Sequence, residues 1–359
     1  MSPQTRISKT GTGFYDLVSD SFLNTYHIVT DEGTCRLMAS PEVVGFDSYS
    51  AMVAPTIRAL EILKERDARK FDRANILTIL RGGLNYPVEE ACSKCGIMVS
   101  DISFMSCERI IRDGIITGLD VKYEQVRTEP DNTLIIGDII ASGATLKLCL
   151  KHFVDIHRAK GHSIRKIVFF TVGGTKAIGM MEEMTAEIRT FWPDFEGFQC
   201  VFYEGIFTVY TDKGVSGVNT PDIDFGWKGA VLAPEFRKYI IEYGHAPALL
   251  EKCIIYDGGA RRYQIDLHYE EVTDYWKALL NVAGEVDFRS FIAEKAGYGE
   301  ATYEQWCELN CYLPSEDLKV IYDEEQEYVE ALAKESLREI CQTRLEQLKE
   351  DLGNYETNQ

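Results

Sequence analysis

The chain has 359 residues, 45% hydrophobic and 26% charged, which excludes extended disorder outside the termini. A formal net charge of -19 disfavours polyanionic partners such as duplex DNA or an anionic membrane surface, and leaves a small anion in a local pocket possible. The opening MSPQTRISKTGTG has no apolar stretch after its charges, no run approaches a membrane span, and ten cysteines are spread along the chain; together these predict a cytoplasmic protein with reduced thiols. The spacings Cys92/Cys95 and Cys307/Cys311 lack company in a zinc-type pattern and read as structural thiols, a metal or cluster site being the alternative.

In chain order, residues 1–44 read as an N-terminal extension. From 45 to 245, helical and strand-like segments alternate. Residues 50–68 place Met52, Val53, Ile57, Leu60, Ile62 and Leu63 at mostly helical spacing. ANILTILRGG at 74–83 is a short apolar run ending on two glycines, and a helix is predicted to begin at 87–91. GIMVSDIS at 96–103 and TLIIGDII at 133–140 are further apolar runs; 143–160 reads as helical, with Leu146, Leu148, Leu150, Phe153 and Ile156 on an apolar side. KIVFFTVGG at 166–174 and FQCVFYEGIFTVY at 198–210 complete the set. Short, continuously apolar strands separated by helices predict an α/β fold: a mostly parallel twisted sheet with helices on both faces. Residues 246–359 read as a mostly helical C-terminal region. Within it, 315–352 carries one long amphipathic pattern, entered at Pro314–Ser315 and stopped at Gly353. This pattern fits a helix packed on its own chain, a dimerising helix being the alternative.

Ligands of such sheets bind at the carboxyl ends of the strands. Three of the apolar runs give way there to RGG, DIIASGAT and VGGT. A loop of small residues leading into a helix N-terminus suits a phosphate, because backbone N–H groups can approach it and the helix dipole favours the charge. Ser142, Gly143 and Ala144 have that character, and Ser142 and Thr145 add hydroxyls. Asp138 would repel a phosphate but suits the vicinal hydroxyls of a sugar. Residues 138–145 therefore read as a sugar-phosphate binder, with the acid for a diol and the loop for a phosphate. In 79–84, ILRGGL, Gly82 and Gly83 free backbone N–H groups to face an anion and Arg81 adds a permanent forked cation.

The run from Ile135 to Thr145 resembles the PRPP-binding signature of type I phosphoribosyltransferases. ILRGGL resembles the pyrophosphate loop of uracil-type members. The two segments stand in the order that family uses, and the resemblance covers roughly residues 45–240. It implies that Asp138, Arg81, Arg109 and Arg112 are catalytic, the last two arginines belonging to a β-hairpin lid around 108–127. It implies that Ala141, Ser142, Gly143, Ala144, Thr145, Gly82 and Gly83 bind PRPP and its phosphates. For the base it implies Gly173 and Gly174 together with Asp222, Asp224, Phe225 and Trp227 from the loop near 217–236. Mg²⁺ is the implied cofactor, reached by Asp138 through the ribose, with a homodimer as the implied assembly. One position departs from the family pattern: Gly137 stands where the first of two acids is usual. Ala141, where purine-type members often carry a base, leans toward a pyrimidine-like or other non-purine acceptor. The implied activity is that of a pentosyltransferase of nucleotide metabolism, moving phosphoribosyl from PRPP to a heterocyclic nitrogen. A non-catalytic PRPP- or nucleotide-binding protein, or a regulatory subunit, is the alternative. A dinucleotide-dependent oxidoreductase is disfavoured, since no G-x-G-x-x-G follows a first strand. No basic recognition helix points to nucleic acid.

Overall fold

The computed structural model describes residues 4–40, 42–67, 71–80, 84–112, 115–140, 143–210, 214–218, 224–243, 264–297 and 301–357. Three N-terminal strands, β1 (Arg6–Gly11), β2 (Phe14–Val18) and β3 (Thr25–Val29), precede α1 (Glu32–Ala39) and α2 (Gly45–Arg66). Next come β4 (Arg73–Leu80), α3 (Asn85–Lys94) and the ribbon β5 (Met98–Arg112) with β6 (Ile115–Gln125). The chain continues through β7 (Asn132–Gly137), α4 (Ala144–Ala159), β8 (Ile164–Gly174), α5 (Thr175–Arg189) and β9 (Gly197–Tyr210). β10 (Asp224–Leu232) and α6 (Pro234–Tyr243) lead into a helical region: α7 (Ile265–Val282), α8 (Phe288–Ala296), α9 (Tyr303–Leu309), α10 (Glu316–Leu332) and α11 (Leu337–Thr357).

All ten strands join one sheet in the order β1-β2-β3-β9-β8-β7-β4-β5-β6, with β10 antiparallel on β9. The central pairs β3–β9, β9–β8, β8–β7, β7–β4 and β4–β5 are parallel. Every residue of β7 is buried, as a strand covered on both faces requires. Helices cover both sides: α2 and α3 pack together as one layer, and the ion pairs Lys147–Glu183 (2.6 Å) and Lys151–Glu187 (2.8 Å) tie α4 to α5 in the other. The architecture is the α/β class expected, with an α-helical C-terminal region.

Two features differ from expectation. The N-terminal segment is no separate appendage, because β3 pairs with β9 and extends the sheet. A buried carboxylate fastens it: Glu204 of β9 accepts from Thr30 Oγ1 (2.6 Å), Thr34 Oγ1 (2.5 Å), Cys35 Sγ (3.3 Å) and the Asp31 N–H (3.1 Å), at the start of α1. Burial pushes this carboxyl up to about 7. Second, the stripe at 315–352 is two helices. Ser315 caps the first, accepting from the Leu318 N–H at 3.3 Å, but the chain breaks over 333–336, and Gly353 lies inside α11. Both pack on their own chain, α10 against α6 and α11 against α7. The seam is a buried ion pair, Arg237 of α6 with Glu325 of α10 at 3.0 Å. Arg237 Nε also donates to Tyr312 Oη (2.9 Å), and Trp306 Nε1 donates to Glu325 Oε2 (3.1 Å).

Nine cysteines fall among the described residues, none joined to another in a disulfide; Cys253 lies outside them. Among the described residues no helix is long and apolar enough to cross a membrane.

Candidate functional site

The chain builds β4, crosses through α3 to β5 and β6 on one side, then returns to lay β7 on the other side of β4. Strand order therefore reverses between β4 and β7, and ligands of open α/β sheets bind in the crevice outside such a switch point. The segments that leave these two carboxyl ends are 81–84 and 138–143, the two segments singled out in the sequence. The described residues beside them, Gly137 on one side and Leu84 and Asn85 on the other, meet directly. A side chain at Gly137 would place its Cβ 2.2 Å from the carbonyl oxygen of Leu84 and 3.1 Å from the Asn85 nitrogen. The Gly137 N–H donates to Asn85 Oδ1 at 3.0 Å. The end of β7 is thus packed directly on the turn at the end of ILRGGL.

Gly137 is glycine because backbone occupies the space its side chain would fill. The departure seen in the sequence is a packing requirement: no acid fits at this position in this fold.

Asp138 is the next residue. Its N–H donates to Phe170 O (3.1 Å), keeping it in line with β8, and its Oδ1 accepts from the Ile139 N–H (2.8 Å). The side chain is half-buried at the rim. Burial pushes its carboxyl up to about 7, the Ile139 N–H opposing that rise. The segment then continues beside β8: Ile140 N–H donates to Val172 O (3.0 Å), Gly174 N–H to Ile140 O (3.0 Å), and Ile140 bridges Gly173. Gly173 and Gly174 are buried between this segment and β9: a Cβ on Gly173 would stand 3.2 Å from Ile140 O, and one on Gly174 2.4 Å from Val209 Cγ2 of β9.

Gly143 takes φ 72° at the N-cap of α4, a left-handed conformation that favours glycine. Among the described residues no side chain caps this helix and no acid stands in its first turn, which leaves the positive end of its dipole at Gly143, Ala144 and Thr145. Arg109 and Arg112 are exposed on the distal part of the β5–β6 ribbon, where Arg109 pairs with Leu119 and Arg112 with Ile115. An antiparallel ribbon therefore stands between the two motifs.

Of the expected site residues, Arg81, Gly82, Gly83, Ala141, Ser142 and Asp222 lie outside the described residues, as do the side chains of Asp224 and Phe225. The expectation for Trp227 does not hold. Its indole is 5% exposed and packs on Phe236 with ring centroids 5.3 Å apart, so the ring is held in the core instead of at the rim. Asn85 was missed: it stands beside a recognisable motif, and its reach to Gly137 is visible only once the chain is folded. Among the described residues no group of three or more His, Cys, Asp or Glu side chains is arranged to hold a metal ion.

No family model matches the chain, and no curated protein sequence matches it. Similar solved structures include the AQ2163 protein of Aquifex aeolicus, at 14% identity and TM-score 0.37, covering 52% of this chain and 90% of that one. A hypoxanthine phosphoribosyltransferase of Staphylococcus aureus is similar at 14% identity and TM-score 0.26, over 34% of this chain and 65% of that one. A purine phosphoribosyltransferase of Pyrococcus horikoshii is similar at 18% identity and TM-score 0.25, over 34% and 71%.

Proposed function

We propose that this chain is a phosphoribosyltransferase-like enzyme that moves the 5-phosphoribosyl group of PRPP onto a ring nitrogen of a heterocycle, pyrimidine-like or otherwise non-purine, and releases pyrophosphate. The observation that carries this reading is the contact of Gly137 with Leu84 and Asn85 at the switch point of the sheet, which supports reading the two sequence-separated segments as parts of one site.

In this reading the uncapped start of α4, with Ala141, Ser142, Gly143, Ala144 and Thr145, holds the 5′-phosphate. Asp138 accepts from the ribose hydroxyls, and bringing donors to it draws its raised carboxyl back toward the ionised form. Arg81, Gly82 and Gly83 hold the pyrophosphate, with Arg109 and Arg112 closing from the ribbon. Gly173, Gly174, Asp222, Asp224 and Phe225 border the acceptor. The acceptor nitrogen attacks C1′, the C1′–O bond breaks, its electron pair leaves with pyrophosphate, and the nitrogen sheds its proton. The protein contributes position and charge stabilisation with no covalent intermediate. Mg²⁺, when bound, spreads the charge on the pyrophosphate. One half-buried carboxylate with no cluster around it among the described residues fits an ion that arrives on the substrate's oxygens better than a resident one. A homodimer of cytoplasmic location completes the proposal.

A second reading has its own support: with no acid possible at position 137, the chain holds PRPP or a nucleotide without turning it over. Pyrophosphate release from PRPP and Mg²⁺ across a panel of bases separates the two. Base-dependent release supports the enzyme. Tight PRPP binding with no release supports the second reading, and absence of PRPP binding overturns both.

A further inference from the structure

Asn85 opens α3, a ten-residue helix with no acid in its first turn and no side-chain cap. Its carboxamide is 5% exposed, and its orientation is fixed, since the atom that meets the Gly137 N–H must be the oxygen. The other half, Nδ2, is buried and has no hydrogen-bond partner among the described residues. A buried donor left unpaired costs stability. Other buried carboxamides with unpaired atoms, Asn75, Asn132 and Gln199, lie toward the amino ends of β4, β7 and β9, away from the crevice. Asn85 alone of these stands at the switch point, one hydrogen bond from the residue that precedes Asp138.

We propose that Asn85 is a ligand-binding residue of this crevice, whose Nδ2 donates to a pyrophosphate oxygen where a carboxylate from position 137 is sterically impossible. The proposal rests on the phosphoribosyltransferase-like reading above. Its chemistry is set by the donor: a carboxylate would accept from hydroxyls or ligate a cation, whereas an amide N–H requires an acceptor, and an anionic phosphate oxygen is the stronger one. The start of α3 adds the favourable end of a helix dipole to the same spot. Compared with a two-acid site, this crevice carries one negative charge fewer toward the ligand. Leu84 and Asn85 also explain how the exchange is possible: the same turn that excludes a side chain at 137 supplies its replacement.

The test uses the full chain and two probes with Mg²⁺, inorganic pyrophosphate and ribose 5-phosphate, each followed by calorimetric titration. Asn85→Asp keeps an oxygen for the Gly137 N–H and removes the donor; Asn85→Ala removes both. Both folded variants are expected to lose at least about tenfold in pyrophosphate affinity while ribose 5-phosphate affinity stays within about twofold. Folded variants with wild-type pyrophosphate affinity, or a loss confined to ribose 5-phosphate, overturn the assignment. If Asn85→Asp does not fold, Asn85→Ala reads the same loss. A wild-type chain that binds neither probe overturns the functional reading itself, and with it this assignment.

Discussion

Gly137→Ala is the substitution that most directly probes how the crevice is built. The added Cβ would sit 2.2 Å from Leu84 O and 2.6 Å from Leu84 C. An ordinary carbon–oxygen contact is about 3.3 Å or longer, so the turn would have to move by about 1 Å. Both atoms are backbone, so no rotamer change relieves the clash. Overpacking of this kind costs about 1–3 kcal/mol. Displacing the turn also strains the Gly137 N–H···Asn85 bond, for about 1 kcal/mol more. A loss of about 2–4 kcal/mol lowers the melting temperature by about 4–8 °C at about 2 °C per kcal/mol. Thermal denaturation followed by circular dichroism reads it. Gly137→Asp, which restores the acid of the related signature, is expected to destabilise at least as much and to raise no activity. A Gly137→Ala protein that melts within about 1 °C of wild type would show that β7 and the 84–85 turn do not meet, and the assembled crevice would lose its basis.

Other consequences are independent of that contact. Asp138 has its folded-state carboxyl raised to about 7, above the ordinary value near 4, so its contribution to stability is complete below about pH 4 and is lost as pH rises through about 7. Asp138→Asn should therefore match wild type in melting temperature at pH 4 and exceed it at pH 8, while turnover falls about 10²-fold; a pH-independent difference contradicts the burial argument. Glu325→Ala strands the buried Arg237 and should cost about 3–5 kcal/mol, read as a lower urea midpoint; an unchanged midpoint would remove the ion pair as the seam of the C-terminal region. Arg81→Ala should weaken pyrophosphate affinity without changing the melting temperature, and equal affinity would return Arg81 to an ordinary surface residue.

The central strands were legible because both of their faces are buried. A run such as TLIIG has no polar face to obscure it, and the small residues after each strand mark the rim. The N-terminal strands were not legible, because RISKTG and FYDLV are short and partly exposed near the sheet edge. Their inclusion depends on β3 meeting β9 and on a carboxylate from distant Glu204. The stripe at 315–352 ran on through a helix break because its apolar spacing survives at Leu332 and Leu337. Trp227 looked like a stacking ring because aromatics and acids crowd its neighbourhood, yet Phe236, nine positions on, claims its face. Gly137 misled most instructively. Locally it is a missing acid, while the reason for it lies in the backbone of Leu84 and Asn85, which no window of sequence around 137 contains.

If the two strand ends form one site for PRPP, calorimetric titration of the wild-type chain with PRPP and Mg²⁺ reads it directly. Saturable binding of one PRPP per chain is expected, weakened by Arg81→Ala and by Asn85→Asp. No binding at millimolar PRPP, or binding that neither substitution changes, would contradict a shared site.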